Sequence, residues 1–248
     1  MNSSFNTIAV VFGREFRAYF STPLAAIFLA VFLALSAGLS FFVTGFFERG
    51  QADLSAFFTW HPWLFMILMP AIGMRLWAEE RRSGTIELLM TLPVRTWELV
   101  TGKFLAGWAF TAVALACTAP MWFTVNYLGS PDNGVIAASY IGSWLMAGAF
   151  LALATCMSAL TKNQVIAFIV ASMAGFLLMM AGFDLVLAGV RSWAPTVITE
   201  MVQSLSFLSH FSRLTNGVIE APTVVFFSSM IVLCLWINVQ LVDLKKAQ

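Results

Sequence analysis

Six stretches of this chain are apolar over roughly the length of a membrane-crossing helix, and no other feature constrains the fold as much. They are residues 23–47, 60–77, 104–128, 135–160, 165–190 and 222–242. A helix that spans the hydrocarbon core of a bilayer needs about 20 such residues. Several of the runs exceed that minimum, so tilt or a break within them is expected. Composition gives the same class. The chain is 60% hydrophobic and 10% charged over 248 residues, with a mean hydropathy of +0.87. A soluble domain is about 45–50% apolar and about 25% charged. A soluble core this apolar would leave too little polar surface, which leaves a polytopic membrane protein in contact with the lipid bilayer. The net charge of +1 offers no electrostatic case for a nucleic-acid partner.

Lys and Arg set the expected orientation. With the N-terminus in the cytoplasm, Arg14, Arg17, Arg75, Arg81, Arg82, Arg95, Lys103, Lys162, Lys245 and Lys246 lie inside, and only Arg49, Arg191 and Arg213 lie outside. Both termini are then cytoplasmic. Trp60, Trp63, Trp122, Tyr127 and Trp193 mark the outer border, and Tyr19 and Trp77 the inner one. The start of the chain lacks the basic head and cleavage site of a signal peptide. No repeat relates the first three runs to the last three, so residues 1–248 read as one domain. Cys117, Cys156 and Cys234 all fall in apolar runs without a CxxC pair and read as small core hydrophobes.

Ahead of the first run, Phe5, Ile8, Ala9, Phe12, Phe16, Tyr19 and Phe20 recur at helical spacing, with Arg14 and Arg17 mostly off that face. This predicts an amphipathic elbow helix over 1–22, lying in the inner interface. Ser21-Thr22-Pro23 then turns the chain into the first span. The plainer alternative is an extension of that span.

The chain's charge is concentrated at 75–103, RLWAEERRSGTIELLMTLPVRTWELVTGK. This segment holds Arg75, Glu79, Glu80, Arg81, Arg82, Glu87, Arg95, Glu98 and Lys103, nine of the 25 acidic and basic residues. Ser83-Gly84 breaks the preceding helix. Residues 85–92 read as a short helix with Ile86, Leu89 and Met90 on one side, and Pro93 stops it. Thr96 is the expected N-cap of the next helix. Apolar knobs rimmed by charge suit a helix that docks into a groove of a soluble partner. The competing reading is a connector resting on the membrane, with Glu79 and Arg82 forming an exposed pair.

An amphipathic elbow, six spans and the segment EERRSGTIELLMTLPVRTWELVTGKFLA together resemble the permease subunits of type-2 ABC exporters. The outer segment LSFLSHFSRLTNGVIEAPTVVFF resembles the gliding-motility-associated, Gld-type branch. The resemblance implies an all-α polytopic membrane protein, with an N-terminal interfacial elbow helix plus six transmembrane helices in a single type-2 ABC transmembrane domain. Residues 78–103 become the cytoplasmic coupling segment and 191–221 an extracytoplasmic helical loop. Residue by residue, it places ATPase contacts on Ser83, Gly84, Thr85, Glu87, Leu88, Leu89, Leu92, Pro93 and Trp97, with Glu79, Glu80, Arg81 and Arg82 beside the ATPase surface. The chain has no GxxxxGK[ST] loop. The implied protein is therefore not itself an enzyme and holds no cofactor; ATP and Mg2+ belong to a cytoplasmic ABC ATPase partner.

In that family the first and fifth spans meet across a permease dimer. Small residues recur at the required spacing in both: Ala26, Ala30, Ala34 and Gly38, then Ala167, Ala171 and Gly175. The second permease is an identical or related chain, and packing within one chain is the alternative use of these stripes. The Gld-type branch further implies a membrane protein with a large extracytoplasmic domain, and residence in the bacterial cytoplasmic (inner) membrane. The substrate stays open, as does mechanical work on the envelope in place of transport.

Other readings rest on less. A secondary transporter predicts ionisable residues at mid-membrane, and Asp184, toward the outer end of the fifth run, is the one acidic candidate. A non-transporting anchor is a further alternative. Met201, Leu205, Leu208 and Phe211 are expected to share a helical face. His210 has no partner at metal spacing. His61 reads as a snorkelling residue at the outer interface. Met173, Met179, Met180 and Met201 bring Cu(I) to mind but read as apolar filler.

Overall fold

The computed structural model of the chain describes residues 2–85, 94–192, 195–217 and 220–244, and every regular element among them is helical. The amphipathic N-terminal stretch is one helix, α1 (Asn2–Phe20), and Pro23 opens α2 (Pro23–Gly38), which runs on as a π turn over Leu39–Val43. Five helical stretches are long and apolar enough to cross a membrane: Ala25–Val43, Ser55–Ser83, Thr96–Leu128, Asn133–Leu160 and Ala221–Leu244. A sixth apolar helix, Gln164–Met180, is shorter.

The second span, expected over 60–77, is longer than that run and is interrupted. It comprises α3 (Ser55–Phe58), α4 (His61–Gly73) and α5 (Arg75–Ser83). The interruption at Met74 has a visible cause. In a regular helix the Ala78 amide would donate to the Met74 carbonyl. Here the Ser158 hydroxyl stands between them: it accepts from the amides of Trp77 at 3.1 Å and Ala78 at 3.0 Å, and donates to the Met74 carbonyl at 2.7 Å. A side chain inserted into the ladder bends a helix while leaving no backbone group unpaired in an apolar setting.

The third span is α6 (Thr96–Ala116) followed by α7 (Ala119–Leu128). The break precedes Pro120, which has no N–H to offer the Ala116 carbonyl. Next comes α8 (Asn133–Leu160), capped by Asp132, whose carboxylate accepts from the Gly134 and Val135 amides. The fifth run departs from the expected 165–190: α9 (Gln164–Met180) ends ten residues sooner, and α10 (Asp184–Arg191) starts after a turn through Gly182. A Cβ on Gly182 would overlap the Ser206 and Ser209 hydroxyls, so the outer segment packs directly on the turn that ends the span.

The outer segment forms α11 (Thr196–Ser204) and α12 (Phe207–Thr215), and α13 (Ala221–Leu244) is the last span. The expected face of Met201, Leu205, Leu208 and Phe211 does not form. The chain turns at Leu205–Ser206, Met201 and Leu205 are exposed, and Phe207, Phe211 and Leu214 are buried instead.

The core is built around α8, against which α13, α4, α9, α12 and α6 pack. Ala147, Ala149, Ala152 and Ala154 are fully buried there. Small residues suit this, because in lipid the helices associate by close packing and not by exclusion of water. His61 corrects its expectation as well. It is wholly buried, ringed by Phe32, Phe57, Phe58 and Phe65, with Nδ1 2.8 Å from the Ser143 hydroxyl. The hydroxyl partner on α8 makes burial of the imidazole tolerable. By contrast α2 is only lightly embedded, with Ile27, Val31 and Leu35 exposed.

Candidate functional site

The charged segment between the second and third spans is carried on two helix ends. On one side α5 continues from the second span to Ser83 and closes at Gly84 with φ 72°. A side chain there would face the left-handed penalty of about 1–2 kcal/mol that glycine avoids. On the other side α6 begins at Thr96, where the Arg95 amide donates to Glu98 Oε2 at 3.1 Å. Arg95 therefore holds the N-cap position expected for Thr96. The Thr96 hydroxyl instead donates to Asp243 Oδ1 at 2.6 Å, fastening the head of the third span to the end of α13. Glu87, Leu88, Leu89, Leu92 and Pro93, together with Ile86 and Met90, lie outside the described residues.

Two turns into α6 is Lys103, 2% exposed, with its ammonium 3.0 Å from Glu15 Oε1 on α1 and 2.6 Å from Glu80 Oε1 on α5. It also lies 5.5 Å from the centre of the Trp77 ring. Arg14 adds a contact to Glu15 at 2.6 Å and a longer one to Glu80 at 3.9 Å. Burial alone would raise the Glu15 carboxyl; the charges and hydrogen bonds of Lys103 and Arg14 outweigh it and hold the group below its usual 4.5. One buried cation thus joins the N-terminal helix, the end of the second span and the start of the third. Beside it is a cavity of about 240 Å3, lined by groups that include Glu15, Tyr19, Arg75, Glu79, Glu80 and Lys103.

The four charges expected beside an ATPase separate into two pairs. Glu80 turns inward to Lys103, and Arg81 donates to the Ala159 carbonyl at 2.8 Å, closing the end of α8. Glu79 and Arg82 face outward with Ser83, Gly84 and Thr85. Glu79 pairs with Arg75 at 3.0 Å, and not with Arg82 as in the competing connector reading. Trp97 is 40% exposed, an open indole at the head of α6.

The family model described as "ABC-2 family transporter protein" matches residues 55–242, three quarters of the chain. This chain belongs to the ABC-2 transporter family. The match begins with α3 and ends within α13, so it takes in both helix ends that bracket the charged segment. No curated protein matches the chain. ABC-2 permeases are the multi-pass membrane components of ABC transporters, and the ATPase they work with is a separate cytoplasmic subunit. The folded chain therefore carries the permease part of that division of labour.

Within this ABC-2 permease the two small-residue stripes have different surroundings. Ala167 and Ala171 on α9 are 0% and 1% exposed, and a Cβ on Gly175 would stand 2.9 Å from the Phe150 ring. These three residues seat α9 against its own chain, which is the use that close packing dictates. On α2, Ala26, Ala30 and Ala34 are exposed, and nothing lies within 4 Å of the Cβ position at Gly38. The outward face of α9 carries larger side chains, including Ile166, Ile169, Met173 and Leu177.

Asp184 heads α10, exposed and beyond the end of α9. His210 stacks on Phe226 at 4.0 Å, with Nε2 3.0 Å from the Ser204 carbonyl. Lys103, Glu15 and Ser158 escaped the sequence reading of the site. A signal existed for Lys103: a lone ammonium at the start of an apolar run needs a counter-ion.

Proposed function

We propose that this permease couples ATP hydrolysis on a cytoplasmic ABC ATPase to export of a substrate, as a member of the Gld-type branch in a bacterial cytoplasmic membrane. The joint at Lys103 carries this reading. Lys103, two turns into α6, is paired with Glu80 near the end of α5 and with Glu15 on α1. A push on the segment would reach the second span, the third span and the N-terminal helix together. ATP-driven closure of two ATPases would supply that push, and the spans would tilt in response. In this reading α1 is the interfacial elbow, both termini are cytoplasmic, and ATP and Mg2+ stay on the ATPase. The outward residues Ser83, Gly84, Thr85 and Trp97, with Glu87, Leu88, Leu89, Leu92 and Pro93 between them, meet the ATPase, and Glu79 and Arg82 lie beside its surface. The inward pair Glu80 and Arg81 stiffens their base.

A second permease copy would meet the exposed alanine face of α2. Ala167, Ala171 and Gly175, buried within the chain, stay out of that contact. The Gld-type branch adds a membrane protein with a large extracytoplasmic domain as a further partner, and the same drive could do mechanical work on the envelope.

The test is co-purification with candidate ATPases from the same cell. Leu88→Arg/Leu89→Arg and Trp97→Ala are expected to lose the ATPase while eluting as the parent does in size exclusion. Failure of the unaltered chain to retain any candidate ATPase would sink the proposal.

A further inference from the structure

A second cleft opens where α8 turns into α9. It is an open groove of about 430 Å3 lined by Arg82, Thr161, Lys162 and Asn163. Arg82 comes from the end of α5 and Lys162 from the turn, so two elements distant in sequence bring two cations to one opening. Among the described residues no carboxylate lines it. The described acidic neighbours of Arg82 on α5 are committed elsewhere, Glu79 to Arg75 and Glu80 to Lys103. Among the described residues neither Arg82 nor Lys162 has a carboxylate within ion-pair distance.

Two side-chain hydrogen bonds brace the turn. Thr161 Oγ1 accepts from the Asn163 amide at 3.1 Å, and Asn163 Oδ1 caps the Val165 amide at 2.9 Å. The positive end of the 17-residue helix α9 therefore points at the same opening as the two cations. Directly beyond the cleft the surface becomes apolar: Leu160 is 48% exposed, Val165 62%, Ile166 50% and Ile169 48%. A cationic pocket at the foot of an open apolar helix wall fits a molecule with an anionic head and hydrocarbon tails.

We infer that this cleft binds the phosphate headgroup of an anionic phospholipid, with the acyl chains lying along the outward face of α9. Arg82 and Lys162 hold the phosphate oxygens. A soluble acidic partner would leave the apolar wall uncovered, and the wall selects lipid over it. The site needs only that the chain spans a membrane, and does not depend on what the permease exports.

The test uses the purified full-length chain in nanodiscs and in detergent, with native mass spectrometry counting retained lipid. The unaltered chain is expected to retain phosphatidylglycerol over phosphatidylcholine. Arg82→Gln/Lys162→Gln is expected to lose that preference, by about thirtyfold if each cation contributes as a basic residue near an anionic surface does. Arg82→Lys/Lys162→Arg should keep it. Equal retention of the two lipids by the unaltered chain overturns the inference, even if the neutral double variant fails to fold. So does an unchanged preference in that variant. Competition by millimolar inorganic phosphate that removes all bound phosphatidylglycerol would mark a site for free anions. Lipid retention unchanged alongside loss of the ATPase would assign the cleft to the protein partner.

Discussion

Trp108 on α6 and Trp144 on α8 stack at 4.0 Å with planes 7° apart, and each donates its indole N–H to the other's backbone carbonyl, at 2.9 and 3.2 Å. The exchange binds the third span to the central helix by ring contact and hydrogen bond at once. It depends on Gly148, one turn beyond Trp144, where a Cβ would lie 2.6 Å from Trp108 Nε1. Gly148→Ala must displace the indole and is expected to cost about 1–3 kcal/mol, as overpacking does. Trp108→Phe keeps a ring but loses a hydrogen bond, a cost of about 1 kcal/mol from that bond alone. Both changes break the same contact, so the double variant should cost clearly less than the sum. Unfolding by SDS titration in mixed micelles measures all three, and simple additivity would rule out the shared contact.

Ser158 makes a comparable prediction for the bend in the second span. Its hydroxyl bridges the Met74 carbonyl and two amides, and Ser158→Ala leaves those groups without it in apolar surroundings. The expected loss is about 1–3 kcal/mol, lower if the α4–α5 ladder closes directly. Ser158→Thr retains the hydroxyl and should recover part of the loss. The same denaturation experiment, run on both variants, distinguishes a missing hydroxyl from a packing defect. Equal stability of Ser158→Ala and the parent would mean that the inserted hydroxyl does not hold the bend.

His210 gives the outer segment a pH dependence. Burial disfavours its charged form and Arg213 adds to this, while the Ser204 carbonyl and Glu220 oppose them; the net effect is a value below the usual 6.5. Arg213 and Glu220 are themselves paired at 3.4 Å. A depressed histidine means that the unfolded chain takes up the proton first, so stability present above 6.5 is lost as the pH falls toward the folded value. The melting temperature of the parent should thus fall faster than that of His210→Gln as pH drops through 6.5. Parallel curves for the two proteins would count against it.

Much of the fold was legible because lipid imposes one rule on every span: enough apolar residues in a row. That rule marks out α8 and α13 nearly to their ends. It is blind to events within a run. Nothing in the apolar character of 165–190 reports the turn at Gly182, which is set by serines of a distant segment packing on it. Nor does periodicity reveal that Ser158 enters another helix's ladder, or that His61 finds Ser143 inside the bundle. The outward and inward roles of Glu79, Glu80, Arg81 and Arg82 depend on neighbours in α1, α6 and α8. The charge run could therefore be located from sequence but not divided. The small-residue stripes show the same limit, since identical spacing leaves Ala30 open and Ala171 buried.

The alanine face of α2 yields a direct test of a second copy. In a Cys117→Ser background, which removes the exposed native thiol, Ala30→Cys should form a disulfide-linked dimer under mild oxidation. Phe42→Cys, on a side chain 90% exposed near the end of the same span, serves as the comparison. Preferential linkage through Ala30 supports two identical permeases meeting along this face, and equal or absent linkage removes it.

Lys103 supports the sharpest separation of charge from packing. Its substitution by Met leaves Glu15 and Glu80, 17% and 16% exposed, with Arg14 as the one remaining cation within ion-pair distance among the described residues. Breaking a buried pair by removing one partner costs about 3–5 kcal/mol, whereas replacing the whole group by neutral residues is often close to neutral. Lys103→Met should therefore be strongly destabilised, and adding Glu15→Gln and Glu80→Gln to it should restore most of the loss. If the triple variant stays as unstable as Lys103→Met, the defect is one of shape and not of unpaired charge. Where stability returns, the ATPase activity of the reconstituted complex becomes the decisive reading. Under the proposed coupling the neutral joint no longer ties α1, α5 and α6 together by charge, so the ATPase should remain bound while its rate loses dependence on the permease. A triple variant that regulates its ATPase as the parent does would show that the ionic joint stabilises the fold without transmitting the push.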